Sequence, residues 1–413
     1  MQSKNSIAAR IGTLVFATSG IQFANGFFGT FIALRVASED FGAAAAGLVL
    51  SSYFAGFTLG AFFSGRIIER FGHIRVYAAF AGMVIAATAV MPVLVEPAPW
   101  MVLRAAVGFG CAGLFVTTES WLSAKSGTAE RGHVFSIYMV GTFVAIALGQ
   151  LLIGRVEVAS STPFNIIVAL FATALVLVST TRAEQPQTVA APHPPYGQLA
   201  RAAPVAVAGA ALSGLISGAF YALVPVWMQD EGIERETIGL FMLVAVLGGL
   251  AFQVPVALLS DRFDRRIVLV GLCTGLAVAA VALVRLPHAV LLILPAAALF
   301  GGLMSSLYPV CVAPAHGRVP AGHVVGGSSH LILASGCGSV LGPLIGMSVL
   351  RRFDINGVFY LMAAAALLLA VLAVGRILTS AAPLHLERTF RILAPQPTPL
   401  AHDPAGTAPP SEA

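Results

Sequence analysis

The chain has 413 residues, 58% of them hydrophobic and only 10% charged, with a mean hydropathy of +0.89. A soluble domain carries about 25% charged residues, so this composition excludes an ordinary water-soluble enzyme or binding module. The formal net charge is +5, yet the basic residues alternate with apolar runs instead of forming one patch, which excludes a nucleic-acid surface and points to membrane topology.

Twelve apolar runs follow one another, at 11–34, 44–64, 74–95, 100–122, 134–154, 163–180, 204–227, 237–260, 267–286, 290–312, 324–349 and 357–376. They are continuously apolar rather than alternating, and lipid requires every backbone group to be paired internally, so each predicts a transmembrane helix. The first run is too long for the apolar core of a secretory signal and is followed by no convincing cleavage site, so it is expected to remain as the first span. The fold class is therefore an all-α membrane protein. Its expected parts are a six-helix bundle over 1–180, a Pro-rich polar linker at 181–203, a second six-helix bundle over 204–378 and a disordered tail at 379–413. With the N-terminus in the cytoplasm, sixteen of the 23 Lys and Arg residues face inside. Both termini, the linker and the tail are then expected in the cytoplasm.

Polar residues inside the spans are candidates for a cargo site. In the first span Gln22, Asn25 and Gly29 share one helical face. Arg104 stands near the start of the fourth, and Glu119 is the only acid within a span. An intramembrane carboxylate is a functional candidate by default. Tyr138 and Thr142 lie four apart in the fifth span, which continues to Gln150; Ser213, Ser217 and Tyr221 are spaced by four in the seventh. Gln253, Tyr308 and His330 add polar reach in the eighth, tenth and eleventh. The third, sixth, ninth and twelfth spans have few central polar residues, as lipid-facing helices around a cavity would. Interhelical hydrogen bonding is the competing reading for each of these residues. The four cysteines, Cys111, Cys273, Cys311 and Cys337, lack metal or redox spacing and read as packing residues.

Two charged knots interrupt the apolar pattern. "GRIIERFGHIRV" at 65–76 has five Arg, Glu or His among its twelve residues, and "ALLSDRFDRRIV" follows 192 residues later. The same shift carries Gly26 onto Gly218 and Glu69-Arg70-Phe71 onto Asp261-Arg262-Phe263. One offset at two separated places indicates two related halves, one of the known transporter architectures.

The stretch Gly65-Arg66-Ile67-Ile68-Glu69-Arg70-Phe71-Gly72-His73-Ile74-Arg75 resembles the signature loop G-x-x-x-D-R-x-G-R-R of the major facilitator superfamily. Glutamate stands for the usual aspartate and His73 for a base. The second copy, Ser260-Asp261-Arg262-Phe263-Asp264-Arg265-Arg266, lacks the leading glycine. The resemblance covers about residues 8–378. Through "TTESWL", "GTFVAIALGQ", "SGAFYALVPVW" and "GCGSVLGPLIG" the chain is similar in particular to the YcaD-like bacterial branch.

That resemblance implies a monomeric secondary transporter of the bacterial inner membrane, proton-coupled, with no cofactor. Its partners would be a small-molecule substrate and the bilayer, with no nucleic acid. It implies that Gly65, Glu69, Arg70, Gly72, Arg75, Asp261 and Arg262 form a latch that holds the cytoplasmic side shut. Glu119 followed by Arg131-Gly132 resembles an arrangement in sugar porters that pairs back to this loop. Glu119 thus has three readings: a gate with Arg131 and Arg70 or Arg75, a proton carrier, or an interfacial acid. Arg104 has two: the coupling Arg-then-Gly pattern of proton-coupled members, or an arginine snorkelling to the outer surface. The antiporter Gly-Pro of the fifth helix is replaced by Gly149-Gln150, and the Gly-Pro here is Gly342-Pro343 of the eleventh. With no clear charged pair expected at mid-depth, the cargo reads as neutral, zwitterionic or amphipathic. No ATP-binding loop is present, so a gradient would supply the energy. Glu119 and His330 are too few for an enzyme's catalytic cluster, and the tail is too short for a sensor's signalling domain. Within transport, efflux and uptake are not separated.

Overall fold

The computed structural model describes residues 2–39, 41–126, 131–180, 204–316, 324–352 and 354–379. Among these there are twelve long helices, one 3₁₀ segment and no strand. The first bundle holds α1 (Gln2–Ser38), α2 (Ala43–Phe71), α3 (His73–Val90), α4 (Pro97–Lys125), α5 (Arg131–Gly149) continued by the 3₁₀ segment η1 (Gln150–Arg155), and α6 (Thr162–Ser179). The second holds α7 (Pro204–Asp230), α8 (Arg235–Arg262), α9 (Arg265–Arg285), α10 (Val290–His316), α11 (Val324–Arg352) and α12 (Gly357–Thr379). The linker 181–203 and the tail from 380 lie outside the described residues.

Each helix coincides with an expected span, but several run past its apolar stretch. Leaving lipid does not break a helix, so α2 continues through the first knot until Gly72 stops it. Eleven helices are long and apolar enough to cross a membrane. The remaining one, α1, is 37 residues long; Thr18, Ser19, Gln22, Asn25 and Thr30 lower its hydropathy.

With twelve crossings, both ends of the helical array lie on the face that carries the two charged knots, called here the knot face; the opposite side is the far face. α3, α6, α9 and α12 pack on their own bundle, whereas α1, α2, α5 and η1 meet α7, α8 and α11 across the interface. In lipid the drive to associate comes from close packing rather than apolar burial, which favours glycine where backbones meet. A Cβ on Gly26 would strike the backbone of Ile146, and one on Gly218 that of Ser339. Gly56 and Gly108 lock α2 onto α4 against Ala105 and Tyr53; Gly248 and Gly301 lock α8 onto α10 against Ala298 and Ala245. Gly149 lies on Phe23 as Gly342 lies on Leu215. Every pair is matched by a shift of 192 or 193 residues, so the repeat extends from two short motifs to the backbone contacts that build each bundle.

Three cysteines are buried as packing residues, but Cys337 is exposed on α11. Sequence context could not separate them, because a residue within an apolar run can sit on either face of its helix.

Candidate functional site

A cavity enclosing about 760 Å³ of empty space, counted out to its open mouth, lies between the bundles at mid-depth. α1 contributes Gln22, Asn25, Gly26, Gly29 and Thr30 to its wall. α2 adds Tyr53 and Phe54, α4 adds Arg104 and Phe115, and α5 with η1 adds Thr142 and Gln150. Tyr221 and Ala222 of α7 close it from the second bundle. An apolar enclosure with a few convergent polar groups is the usual form of a small-molecule site.

The polar groups divide into those already used and those left open. Thr30 donates to Gln150 Oε1 at 2.7 Å and Gln150 Nε2 donates to the Gly26 carbonyl at 2.9 Å. Gln150 thus ties η1 to α1, and its amide is engaged with protein. The Tyr53 hydroxyl donates to Asn25 Oδ1 at 3.0 Å. Gln22 is only 3% exposed, and its Oε1 has no hydrogen-bond partner.

Arg104 is 4% exposed. Its guanidinium carbon stands 5.1 Å from the Phe28 ring centroid and 4.6 Å from that of Tyr53. It therefore does not snorkel. α4 begins at Pro97, three residues before the expected span, which carries Arg104 about 10 Å along the helix from its start. The two rings from α1 and α2 then hold it at the cavity wall. The wall thus carries a cation but no charged pair.

Four of the eight expected cargo residues, Gln22, Asn25, Gln150 and Tyr221, line the cavity, and four do not. Tyr138 is buried beside Glu119 and Thr142. Gln253 is fully buried within the second bundle, with neither amide atom paired. Tyr308 is buried and His330 half-buried, both away from this wall. Tyr53, Phe54 and Phe115 are wall residues that the sequence reading did not single out. Aromatic residues in an apolar run carry no mark of which face they occupy.

Glu119 is 1% exposed, deep in the first bundle. It lies beside Tyr138, and the hydroxyl of the preceding residue, Thr118, stands 3.2 Å from that of Thr18. The side chain of Arg131 lies outside the described residues. Arg70 and Arg75 are exposed at the knot face and make no ion pair among the described residues.

The two knots are built differently. Between α2 and α3 the connection is Gly72 alone, at φ +81° and ψ 160°, a region that only glycine enters without strain. A Cβ on Gly65 would meet nothing within 4 Å, and Glu69 is exposed. His73 is tied down by its Nε2, 2.9 Å from Ser120 Oγ. In the second knot Asp264 caps α9 by accepting from the Arg266 amide at 2.9 Å, and pairs with its guanidinium at 2.8 Å. Arg266 also donates to the Arg376 carbonyl of α12 at 3.1 Å, and Arg265 stands 3.8 Å from Asp261. The second knot is stitched into its own bundle, with Arg262 exposed beside it; the first is open to solvent.

Among the described residues, the following contacts join the bundles from mid-depth towards the far face. Ser51 donates to the Val340 carbonyl at 2.8 Å, and Gly47 faces Pro343 and Met347. Gly239 lies on Gln150, Gly154 on Glu236 and Gly336 on Thr58. Phe143, Ala147 and Val246 form a small apolar cluster across the interface.

Twelve helices in two glycine-locked bundles around one mid-depth cavity define a membrane transporter, sited in the cell membrane. The chain belongs to the Major Facilitator Superfamily, whose family model matches residues 14–234 and 206–402. Within it the chain falls in the YcaD branch. It is 29% identical over 337 residues to the MFS-type transporter YcaD of Escherichia fergusonii, covering 81% of this chain and 87% of that one. It is also 29% identical over 390 residues to the MFS-type transporter Ent638_1421 of Enterobacter sp. (strain 638), covering 90% and 93%. The fold resembles that of the nucleoside transporter NupG, with a TM-score of 0.71 at 13% identity over 89% of this chain and 98% of that one. It also resembles a D-xylose-proton symporter, with a TM-score of 0.64 at 17% identity over 88% and 96%. At such identities the likeness is one of fold.

Proposed function

We propose that this protein is a proton-coupled secondary transporter of the inner membrane that moves a small molecule by alternating access. The observation that carries the reading is the joint between the bundles: among the described residues the contacts named above run from mid-depth to the far face, and a polar-lined cavity lies between the bundles. Rocking the bundles about the cavity would open one face as the other closes. The predominance of basic residues at the knot face supports placing it, and both termini, in the cytoplasm. In this reading the conformation described is closed to the outside.

Gln22, Asn25 and Tyr221 are the proposed cargo contacts. Glu119, buried in membrane and unable to stay charged cheaply, is the proposed site of proton coupling. Glu69, Arg70 and Arg75 are proposed as latch groups that find partners only when the knot face closes. Their solvent-exposed state here fits a latch that is undone, and pairs worth about 0–1 kcal/mol each suffice between states of nearly equal energy. The protein acts as a monomer, without catalysis, in this proposal.

The test compares a deletion strain with an overexpressing strain by untargeted mass spectrometry of cells and spent medium. A compound left in the medium of the deletion strain identifies uptake; one that accumulates in its cells identifies export. No compound differing between the strains, over many growth conditions, overturns the reading.

A further inference from the structure

We propose that the cargo is an organic anion, taken through its carboxylate by Arg104, with an apolar body and a hydrogen-bond donor. The proposal rests on the transport reading above and gives it a substrate class.

Arg104 carries an unmatched charge. A guanidinium offers five N–H donors in a planar fork and stays protonated. Nε and Nη1 of Arg104 are fully buried without a hydrogen-bond partner, and no ion pair reaches this residue among the described residues. The Phe28 and Tyr53 rings stabilise the cation through their faces, but they accept none of its in-plane N–H bonds. No acid among the described residues pairs with it. Glu119 is fifteen residues further along the same helix, about 22 Å away. The other acids among the described residues sit at or beyond helix ends. A buried cation left without counter-charge is costly, and membrane proteins keep such a group where a ligand or a partner meets it.

The cavity supplies the remaining terms. Arg104 is part of its wall, and an arginine fork met edge-on binds a planar carboxylate with two parallel bonds. Gln22 Oε1, also buried and unpartnered on that wall, calls for a donor from the cargo. Phe54 and Phe115 offer apolar surface to its body. A hydroxy-carboxylate with an aromatic or aliphatic body satisfies all three.

The test uses the full-length protein in detergent and its thermal melt. The probes are phenyllactate, phenylpropionate and hexanoate at millimolar concentration, each beside its own neutral amide. A ligand that binds the folded state raises the melting temperature. The expected result is a rise with the anions and none with the amides, largest for phenyllactate because it carries the hydroxyl. Arg104→Gln should lose the rise. Arg104→Lys, which keeps the charge without the fork, should retain a reduced one and serves if the glutamine variant does not fold. Gln22→Leu should bring phenyllactate down to the level of phenylpropionate. Equal shifts from amides and anions, an unchanged response in Arg104→Gln, or no shift with any anion overturns the assignment. If the strain comparison meanwhile shows a neutral or cationic compound being moved, the transport reading stands and the anion assignment alone falls.

Discussion

The two bundles share a skeleton and differ in chemistry. Gly56 and Gly108 have counterparts in Gly248 and Gly301, and Gly26 in Gly218, each pressed on a neighbouring backbone. By the same shift Gln22 corresponds to Gly214, Asn25 to Ser217, Tyr53 to Ala245, Arg104 to Ala297 and Glu119 to Val312. Where backbone meets backbone no side chain fits, so both copies keep glycine. Where side chains face the cavity or the bundle interior, the geometry leaves a choice. At the cavity the first bundle carries the charge and amides, while the second presents Tyr221 and Ala222. The polar chemistry proposed for cargo and coupling is thus concentrated in one half, and the other half serves as its moving wall.

The largest effects are expected at the shared skeleton. Gly108→Leu and Gly301→Leu should each destabilise by about 3 kcal/mol or more, since a backbone cannot yield as a side-chain tip can. Both are expected to abolish a monodisperse peak in detergent size-exclusion chromatography. If Gly301→Leu is tolerated, the packing is not equivalent in the two halves. Next in size is the asymmetry of the cavity. Asn25→Ala should lower transport of the compound found in the strain comparison by at least tenfold, at unchanged membrane insertion. Its counterpart Ser217→Ala should leave the rate within about twofold, because an amide contact to cargo is worth about 1.5 kcal/mol or more and a small hydroxyl outside the wall is not. Equal rates in the two variants would remove Asn25 from the site.

Smaller effects are expected at the knots. Arg70→Ala should favour the conformation open at the knot face, read as faster labelling of cysteines introduced into the cavity wall by a membrane-impermeant reagent added from that side. Unchanged labelling would sink the latch. Finally, Gly72→Ala should cost about 1–3 kcal/mol because of its backbone conformation, and Asp264→Ala about 1 kcal/mol as a lost helix cap. Melting curves of the two would separate a knot held by backbone geometry from one held by side chains.

What the sequence determined by itself is the one-dimensional part of the protein. A run of about twenty apolar residues must become a helix in lipid, whatever its neighbours, so the twelve spans, the two bundles and the knots were legible from hydropathy and from one repeated offset. Gln22, Asn25 and Tyr221 were also readable, because polar side chains at helical spacing in an apolar run have few places to go. The tertiary structure decided the rest through contacts between helices distant in sequence. Gln150 reached the cavity wall with its amide tied to Thr30 and Gly26, some 120 residues away. Tyr53 became a wall residue by reaching Asn25. Arg104, which composition left free to snorkel, was fixed in the cavity by rings from α1 and α2. Helical period gives a residue its face; only the packing of one helix against another says what that face meets.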